Sequence, residues 1–148
     1  MALEQSEIVF RLITASLLGA AVGFERELRG TAAGIRTLAL VSLGSALFTI
    51  LAILVSVGQN PGVITSSIIT GIGFLGAGAI LRTESDVKGL TTAATIWLSA
   101  GIGMTIGYGF VYEALIVSII AVVFLAIVRI IEVKYFNKDR KKKKKQTR

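Results

Sequence analysis

The chain has 148 residues, enough for one domain, and combines a hydrophobic fraction of 53% with a charged fraction of only 17%. Its mean hydropathy is +0.77, and so few charges cannot cover the surface of a soluble domain. The absence of cysteine and histidine excludes disulfides and thiolate metal sites, and it removes the side chain most often used as a general base.

Five stretches of mostly apolar residues predict membrane-spanning helices, because a helix needs about 20 such residues to cross a bilayer. The predicted spans cover residues 8–24, 37–57, 63–81, 90–107 and 110–131. We expect the first to be a permanent helix rather than a signal peptide, since Glu4 and Glu7 precede it in place of a basic segment. The predicted fold is an all-α membrane protein, a five-helix bundle over residues 1–133, followed by a basic tail, 134–148, that we expect to be disordered.

The distribution of basic residues predicts the orientation. Of the 16 lysines and arginines, 15 lie in the first and third connections or after residue 128, all on the same side of a five-span topology. The exception, Arg11, lies one turn inside the first span, where we expect it to extend outward. Because basic segments stay inside, the N-terminus is predicted to be outside and the C-terminus cytoplasmic.

The tail from Lys134 onward ends in the run Lys141 to Lys145. Two interpretations are open: a solvated tail that enforces orientation, or a segment that attracts anionic membrane lipids. No nucleic-acid partner is predicted, since no aromatic or groove-reading element accompanies the basic run.

Small residues recur at spacings that favour close helix packing in lipid. Gly19 and Gly23 in the first span predict a homodimer contact, and the glycine-rich third span is expected at the centre of the bundle. The fifth span, nearly free of glycine, is expected to face lipid. The glycines either serve packing alone or free backbone carbonyls that line a path.

Charged residues gather at the predicted cytoplasmic ends of the spans. Glu25, Arg26, Arg36 and Arg82 are the candidate functional charges. They either form a ring that fixes the helix ends or make a site for an ion or a partner protein. Trp97 lies mid-span rather than at an interface, and we expect it to pack against the glycines of the third span.

Four motifs then follow one another in a characteristic order. They read Gly-Phe-Glu-Arg-Glu at 23–27, Ala-Gly-Ile-Arg-Thr at 33–37, Gly-Ile-Gly-Phe-Leu-Gly-Ala-Gly at 71–78 and Gly-Leu-Thr-Thr-Ala-Ala at 89–94. On these motifs the chain resembles the MgtC/SapB family from residue 8 to about 107. The family's Asp-Pro-x-Arg motif reads Asn-Pro-Gly-Val at 60–63 here, so both of its charges are absent. The positions that the resemblance singles out are Thr37, Asn60, Pro61, Gly71, Gly73, Phe74, Gly76, Gly78, Gly89, Thr91, Thr92 and Trp97.

The resemblance implies a multi-pass protein of the bacterial inner membrane, linked to low-magnesium adaptation and, in pathogens, to virulence. It implies a non-enzymatic regulator of other membrane proteins, with the ATP synthase as one suggested target. The alternative is a transporter or channel for Mg²⁺ or another cation. The residues favour this less, because Mg²⁺ prefers oxygen ligands such as carboxylates and no Asp or Glu lies near a span midplane. No cofactor is predicted with certainty, and Mg²⁺ stays open as a ligand.

The predicted topology is tested by reporter fusions. Fusions after Gly58 and Gly109 should report an outside location, and fusions after Gly30, Ser85 and the last residue an inside location, because the basic connections are retained inside. An inside signal at Gly109 would remove the fourth or the fifth span.

Overall fold

The computed structural model describes residues 3–55, 60, 62–84 and 86–136. Within this part the chain forms five helices with short connections, and each predicted span overlaps one of them. In chain order the elements are α1 (Gln5–Glu27), α2 (Ile35–Val55), α3 (Gly62–Gly78), β1 (Leu81–Arg82), β2 (Val87–Lys88), α4 (Leu90–Gly107) and α5 (Val111–Ile131), followed by a π-helical turn, Glu132–Phe136. Most of the predicted basic tail lies outside the described residues.

Four of the helices, α1, α2, α4 and α5, are long and apolar enough to cross a membrane. The fifth, α3, has 17 residues and rises about 26 Å, slightly less than a hydrocarbon core of about 30 Å. The predicted third span ran to residue 81, but α3 ends at Gly78. The charged connection then folds back on itself as the antiparallel pair β1–β2, with Leu81 opposite Lys88.

The centre of the bundle is α4, which packs against each of the other four helices. Its contact with α2 depends on glycine, since a Cβ on Gly103 would collide with the carbonyl oxygen of Ser42. The hydroxyl of Ser99 donates a 2.7 Å hydrogen bond across the same contact to the carbonyl oxygen of Leu38. In lipid, close backbone approach and such interhelical hydrogen bonds hold helices together.

Helix α1 packs on α2 in the same way. A Cβ on Gly19 would lie 2.5 Å from the carbonyl oxygen of Leu38, and a Cβ on Gly23 would lie 2.6 Å from the Cα of Ile35. The expected homodimer contact through these two glycines is therefore wrong, because α2 of the same chain already covers their face. Self-association by another surface stays a prediction.

The glycine-rich α3 lies at the edge of the bundle, so its expected central place is also wrong. Only Thr65 and Gly76 of this helix are buried. A Cβ on Gly71, Gly73 or Gly78 would meet nothing within 4 Å. The centre is instead filled by the direct contact of α2 with α4, which leaves α3 packed along one side.

The outer position expected for the fifth span is confirmed for α5. Its buried residues, Ala114, Ser118 and Ala121, form a single strip of small side chains. The large apolar side chains of α5 remain exposed on the outside of the bundle, for example Ile120 and Phe124. This is the composition expected of a helix that faces hydrocarbon.

Polar contacts join the helices at the end where α1 begins. Arg11 forms an ion pair with Glu7, and its guanidinium donates a 2.7 Å hydrogen bond to the carbonyl oxygen of Gly107 at the end of α4. A cation is stabilised there by the helix dipole. Arg11 therefore holds α1 against α4 rather than extending outward as expected. Nearby, the hydroxyls of Thr65 and Tyr108 lie 3.0 Å apart and connect α3 with α4.

Gly103→Ala should lower the stability of the folded chain by about 1–3 kcal/mol, because the added methyl group forces α4 away from α2. Gly73→Ala is the matched control and should be neutral or slightly stabilising, since its site is open and alanine favours helix more than glycine. Thermal unfolding in mild detergent, followed by fluorescence-detected size exclusion, measures both. A destabilised Gly73→Ala beside a normal Gly103→Ala would contradict this packing arrangement.

Candidate functional site

The two charged motifs at 23–27 and 33–37 meet at one end of the bundle. Successive helices run in opposite directions, so the end of α1, the start of α2, the end of α3, the start of α4 and the end of α5 come together. This is the end that the distribution of basic residues predicts to be cytoplasmic. We call the set Glu25, Arg26 and Arg29 the α1-end cluster.

The α1-end cluster is a compact ion network. Glu25 is 7% exposed and Arg26 4% exposed. The Nε–H of Arg26 donates to Oε2 of Glu25 at 2.8 Å, and Nη2 of Arg29 contacts the other carboxylate oxygen. The carboxylate is therefore held between two guanidinium groups, and the cluster carries one net positive charge.

Arg29 was not among the candidate residues predicted from the sequence, yet it completes this network. Its position four residues after Glu25 is the spacing of neighbours on a helix face, and that spacing could have identified it. Burial lowers the pKa of Arg29, the Glu25 carboxylate opposes this, and the cations Arg26 and Arg129 lower the pKa further. The end of α5 thus lies within electrostatic range of the cluster.

The connection after α1 is shaped to bring α2 back against it. Gly30 takes a left-handed conformation with φ of +64°, which favours glycine. The Thr31 hydroxyl lies 3.0 Å from the carbonyl oxygen of Arg26 and 3.2 Å from that of Ala33. These contacts close the turn between α1 and α2.

Glu27 is a second residue that the sequence prediction missed. Its Oε2 accepts a 3.1 Å hydrogen bond from the backbone N–H of Ile35, the first residue of α2. A Cβ on Gly34 would collide with this carboxylate, so the glycine leaves the space that Glu27 occupies. The carboxylate satisfies a free N–H at the positive end of the helix dipole, and it connects the first motif to the second.

The structure separates the four predicted charges into two groups. Glu25 and Arg26 are buried together, whereas Arg36 near the start of α2 and Arg82 in β1 are exposed. Within the described residues neither of these two arginines forms an ion pair. Thr37 is likewise exposed.

The motif at the start of α4 has a structural role at Gly89. This residue has φ of +89°, and a Cβ on it would collide with the carbonyl oxygen of Ala79. Glycine therefore lets the β1–β2 hairpin close against the end of α3. Thr92 is buried in the bundle, while Thr91 points outward.

The remaining motif positions lie apart from the α1-end cluster. Asn60 caps the start of α3, because its Oδ1 accepts a 2.8 Å hydrogen bond from the N–H of Gly62. The amide thus serves as an N-cap although the family's charges are absent. Pro61 lies outside the described residues, and the exposed Phe74 lies on α3.

Trp97 is 56% exposed and lies beside α3, but its expected packing against the α3 glycines is wrong. It lines a groove of about 290 Å³ between α3 and α4 together with Ile69 and Ile72, and not with the α3 glycines. Gly76 is the α3 glycine that approaches α4, where a Cβ would lie 3.7 Å from the carbonyl oxygen of Ala93.

In the part of the chain that the structure describes, no three Asp or Glu side chains come close enough together to hold a metal ion. The polar groups buried in the bundle interior are mainly hydroxyls, with the α1-end cluster at one end. The hydroxyls belong to Ser42, Ser45, Thr49, Thr65, Thr92, Thr95, Ser99 and Ser118.

The chain is similar to a known family and to several curated proteins. Residues 12–134 match the model of the MgtC family. The chain is 39% identical over 142 residues to the Escherichia coli protein named "Putative magnesium transporter YhiD". It is 49% identical over 112 residues to "Protein MgtC" of Salmonella typhimurium, and 43% identical over 121 residues to an uncharacterized protein of Synechocystis. No solved structure matches the chain.

These matches cover most of this chain but less of its relatives. They include 90%, 76% and 82% of the chain, and 66%, 48% and 52% of the Escherichia coli, Salmonella and Synechocystis proteins, respectively. The chain thus spans from about half to two thirds of the length of these curated relatives.

Glu27→Ala should destabilise the chain by about 0.5–2 kcal/mol, the usual cost of losing a helix cap, because the N–H of Ile35 loses its acceptor. Glu84→Ala removes an exposed carboxylate from the hairpin and should have no effect. Thermal unfolding in detergent compares the two variants. Equal melting temperatures for Glu27→Ala and the parent would show that the cap contributes nothing.

Proposed function

Because the chain belongs to the MgtC family, we propose that it is a membrane protein of magnesium homeostasis that acts as a non-enzymatic regulator of other membrane proteins. In this proposal it lies in the bacterial inner membrane and crosses it five times, with the N-terminus outside and the α1-end cluster at the cytoplasmic face. Its partner is another integral membrane protein, for which the resemblance suggests the ATP synthase.

The observation that carries the proposal is the buried ion network of Glu25, Arg26 and Arg29. Taking charges out of water is costly, and ionisable groups at the level of helix ends in a membrane are functional candidates by default. If these arginines only set the orientation of the chain in the membrane, they could lie further from the end of α1. The network instead lies at the corner between α1 and α2, where Glu27 accepts a hydrogen bond from the N–H of Ile35, and this gives a partner an ordered surface to recognise.

The interior of the bundle supports a regulator over a Mg²⁺ carrier. Mg²⁺ binds oxygen ligands with octahedral geometry and gives up its water reluctantly, so carboxylates usually hold it. The hydroxyls that lie between α2 and α4 are partly engaged already: Ser99 donates to Leu38, and Thr49 donates to the carbonyl oxygen of Ser45 at 2.7 Å.

A cation transporter is the second candidate, favoured by the name of the Escherichia coli relative. One structural feature agrees with it. The hydroxyl oxygens of Ser42 and Ser45 are buried halfway along α2 and have no hydrogen-bond partner among the described residues. Such groups can face a transient water or ion.

Glu25→Gln and Arg26→Gln should each abolish complementation of a low-magnesium growth defect, because Glu25→Gln leaves the buried Arg26 without its counter-charge and Arg26→Gln leaves Glu25 with only one of its two guanidinium partners. Growth yield at limiting Mg²⁺ measures the effect, and an immunoblot of membranes confirms that each variant is present. The double variant should retain more activity than either single variant. Truncation after Lys138 is the control and should leave activity largely intact.

Full activity in both charge variants together with loss in the truncation would move the functional site to the tail. A flux assay separates the two candidate functions. Purified protein in liposomes loaded with a Mg²⁺-sensitive dye should give no flux above that of empty liposomes. Saturable Mg²⁺ flux that depends on the protein would contradict the regulator proposal and support the transporter.

A further inference from the structure

A long groove separates α2 from α3 on the surface of the bundle. Its volume is about 580 Å³, and its walls are almost entirely apolar. Residues from Leu40 to Phe48 on α2 form one wall, and residues from Ile64 to Leu75 on α3 form the other. At a rise of 1.5 Å per residue, the α2 wall extends about 12 Å along the helix.

The groove is open because two of the residues that line it are glycines, which have no side chain. Gly44 on α2 and Gly71 on α3 both line it, and a Cβ on either would meet nothing within 4 Å. These two glycines differ from Gly19 and Gly103, whose missing side chains allow helices of the same chain to touch. Contacts within the described chain therefore leave the space beside Gly44 and Gly71 unused.

Two arginines lie near one end of the two helices that form this groove, outside its lining. Arg36, Leu40, Gly44 and Phe48 are spaced four residues apart, so Arg36 lies on the groove face of α2, one turn beyond Leu40. Arg82 follows the end of α3 by four residues, at the same end of the bundle. Both arginines are exposed, and within the described residues neither has an ion-pair partner.

These arginines differ from those of the α1-end cluster. Arg26 and Arg29 both engage the carboxylate of Glu25. Among the nearby acids, Asp86 lies 4.0 Å from Lys88 and not against Arg82. Arg36 and Arg82 are thus cations at the membrane boundary whose donors are available to an outside ligand.

We propose that the groove between α2 and α3 binds an anionic phospholipid, with a hydrocarbon chain along Gly44 and Gly71 and the phosphate at Arg36 and Arg82. Guanidinium groups bind phosphate through charge-assisted hydrogen bonds, and basic residues at the cytoplasmic boundary attract anionic lipid. This site is distinct from the α1-end cluster and independent of the regulator proposal.

The dimensions favour a lipid chain over a helix. A volume of 580 Å³ spread over a length of about 12 Å corresponds to a cross-section of about 50 Å². A helix with its side chains is about 10–12 Å across, which corresponds to at least about 80 Å². The groove therefore accommodates hydrocarbon chains along its length, whereas a helix could insert only a ridge of its side chains.

Native mass spectrometry of the full chain in mild detergent tests the proposal. Phosphatidylglycerol should bind at least tenfold more tightly than phosphatidylcholine with the same acyl chains. Arg36→Gln and Arg82→Gln should each weaken the binding of phosphatidylglycerol about fivefold, as expected for the loss of one basic residue near an anionic lipid. Neither substitution should change the binding of phosphatidylcholine. Lys88→Gln, in the same hairpin as Arg82, should have no effect.

The groove itself is tested by a matched pair on α3. Gly71→Leu fills the groove and should abolish retention of phosphatidylglycerol. Gly73→Leu adds the same side chain at an equally open position outside the groove lining and should bind like the parent. A melting temperature within a few degrees of the parent for both variants shows that each is folded.

Three results would overturn the proposal. Equal lipid retention by Gly71→Leu and Gly73→Leu would exclude the groove. Binding of glycerol 3-phosphate as tightly as phosphatidylglycerol would indicate a site for free phosphate. Conversion of a dimer to a monomer by Gly71→Leu, with lipid retention unchanged, would indicate that a second copy of the chain occupies the groove.

Discussion

The bundle depends on the close approach of α1 and α4 to α2. Gly19 and Gly23 bring α1 onto one side of α2, and Gly103 and Gly107 bring α4 onto another. Hydrocarbon provides no hydrophobic force between helices, so dispersion contacts at short range and hydrogen bonds such as Ser99 to Leu38 must hold them together. A single methyl group at one of these positions separates two backbones, and every other contact of the bundle forms on this three-helix unit.

The α1-end cluster is a consequence of the same approach. Gly23 lets the end of α1 touch the start of α2, beside the polar groups at the corner. At this corner Arg26 is buried beside Glu25, and Glu27 accepts a hydrogen bond from the first N–H of α2. Since a buried charge is tolerated only with its counter-charge in place, packing and ion pairing at this corner stabilise each other. This coupling is why a charge change at the corner is expected to affect function more than a change in an exposed basic residue.

Helix α3 differs from the three-helix unit in both packing and composition. It is the shortest of the five helices, it is bordered by two grooves, and its polar contacts to α4 include the Thr65–Tyr108 hydrogen bond near its start. Most of its glycines make no close contact within the chain. Small residues in a membrane helix allow close approach by any neighbour, including lipid chains, and the open faces of α3 leave room for one.

The sequence by itself determined the helices and the family. Apolar runs of membrane-spanning length placed five helices to within a few residues, and the four motifs indicated the family that the comparison with known proteins then showed. These are local properties, because hydropathy and motif spacing are read along the chain. The predicted basic asymmetry is of the same kind, and it gives an orientation that topology measurements can test.

Only the tertiary structure decided which glycines touch a neighbour and which charges meet. Gly19 and Gly71 look alike in the sequence. A Cβ atom on Gly19 would lie 2.5 Å from the carbonyl oxygen of Leu38, whereas a Cβ atom on Gly71 would meet nothing within 4 Å. Likewise Arg26 and Arg36 both lie within family motifs, but Arg26 is buried beside Glu25 and Arg36 is exposed. The physical reason is that contact depends on how neighbouring helices are rotated and placed, and this is set by packing among residues that are far apart in the chain.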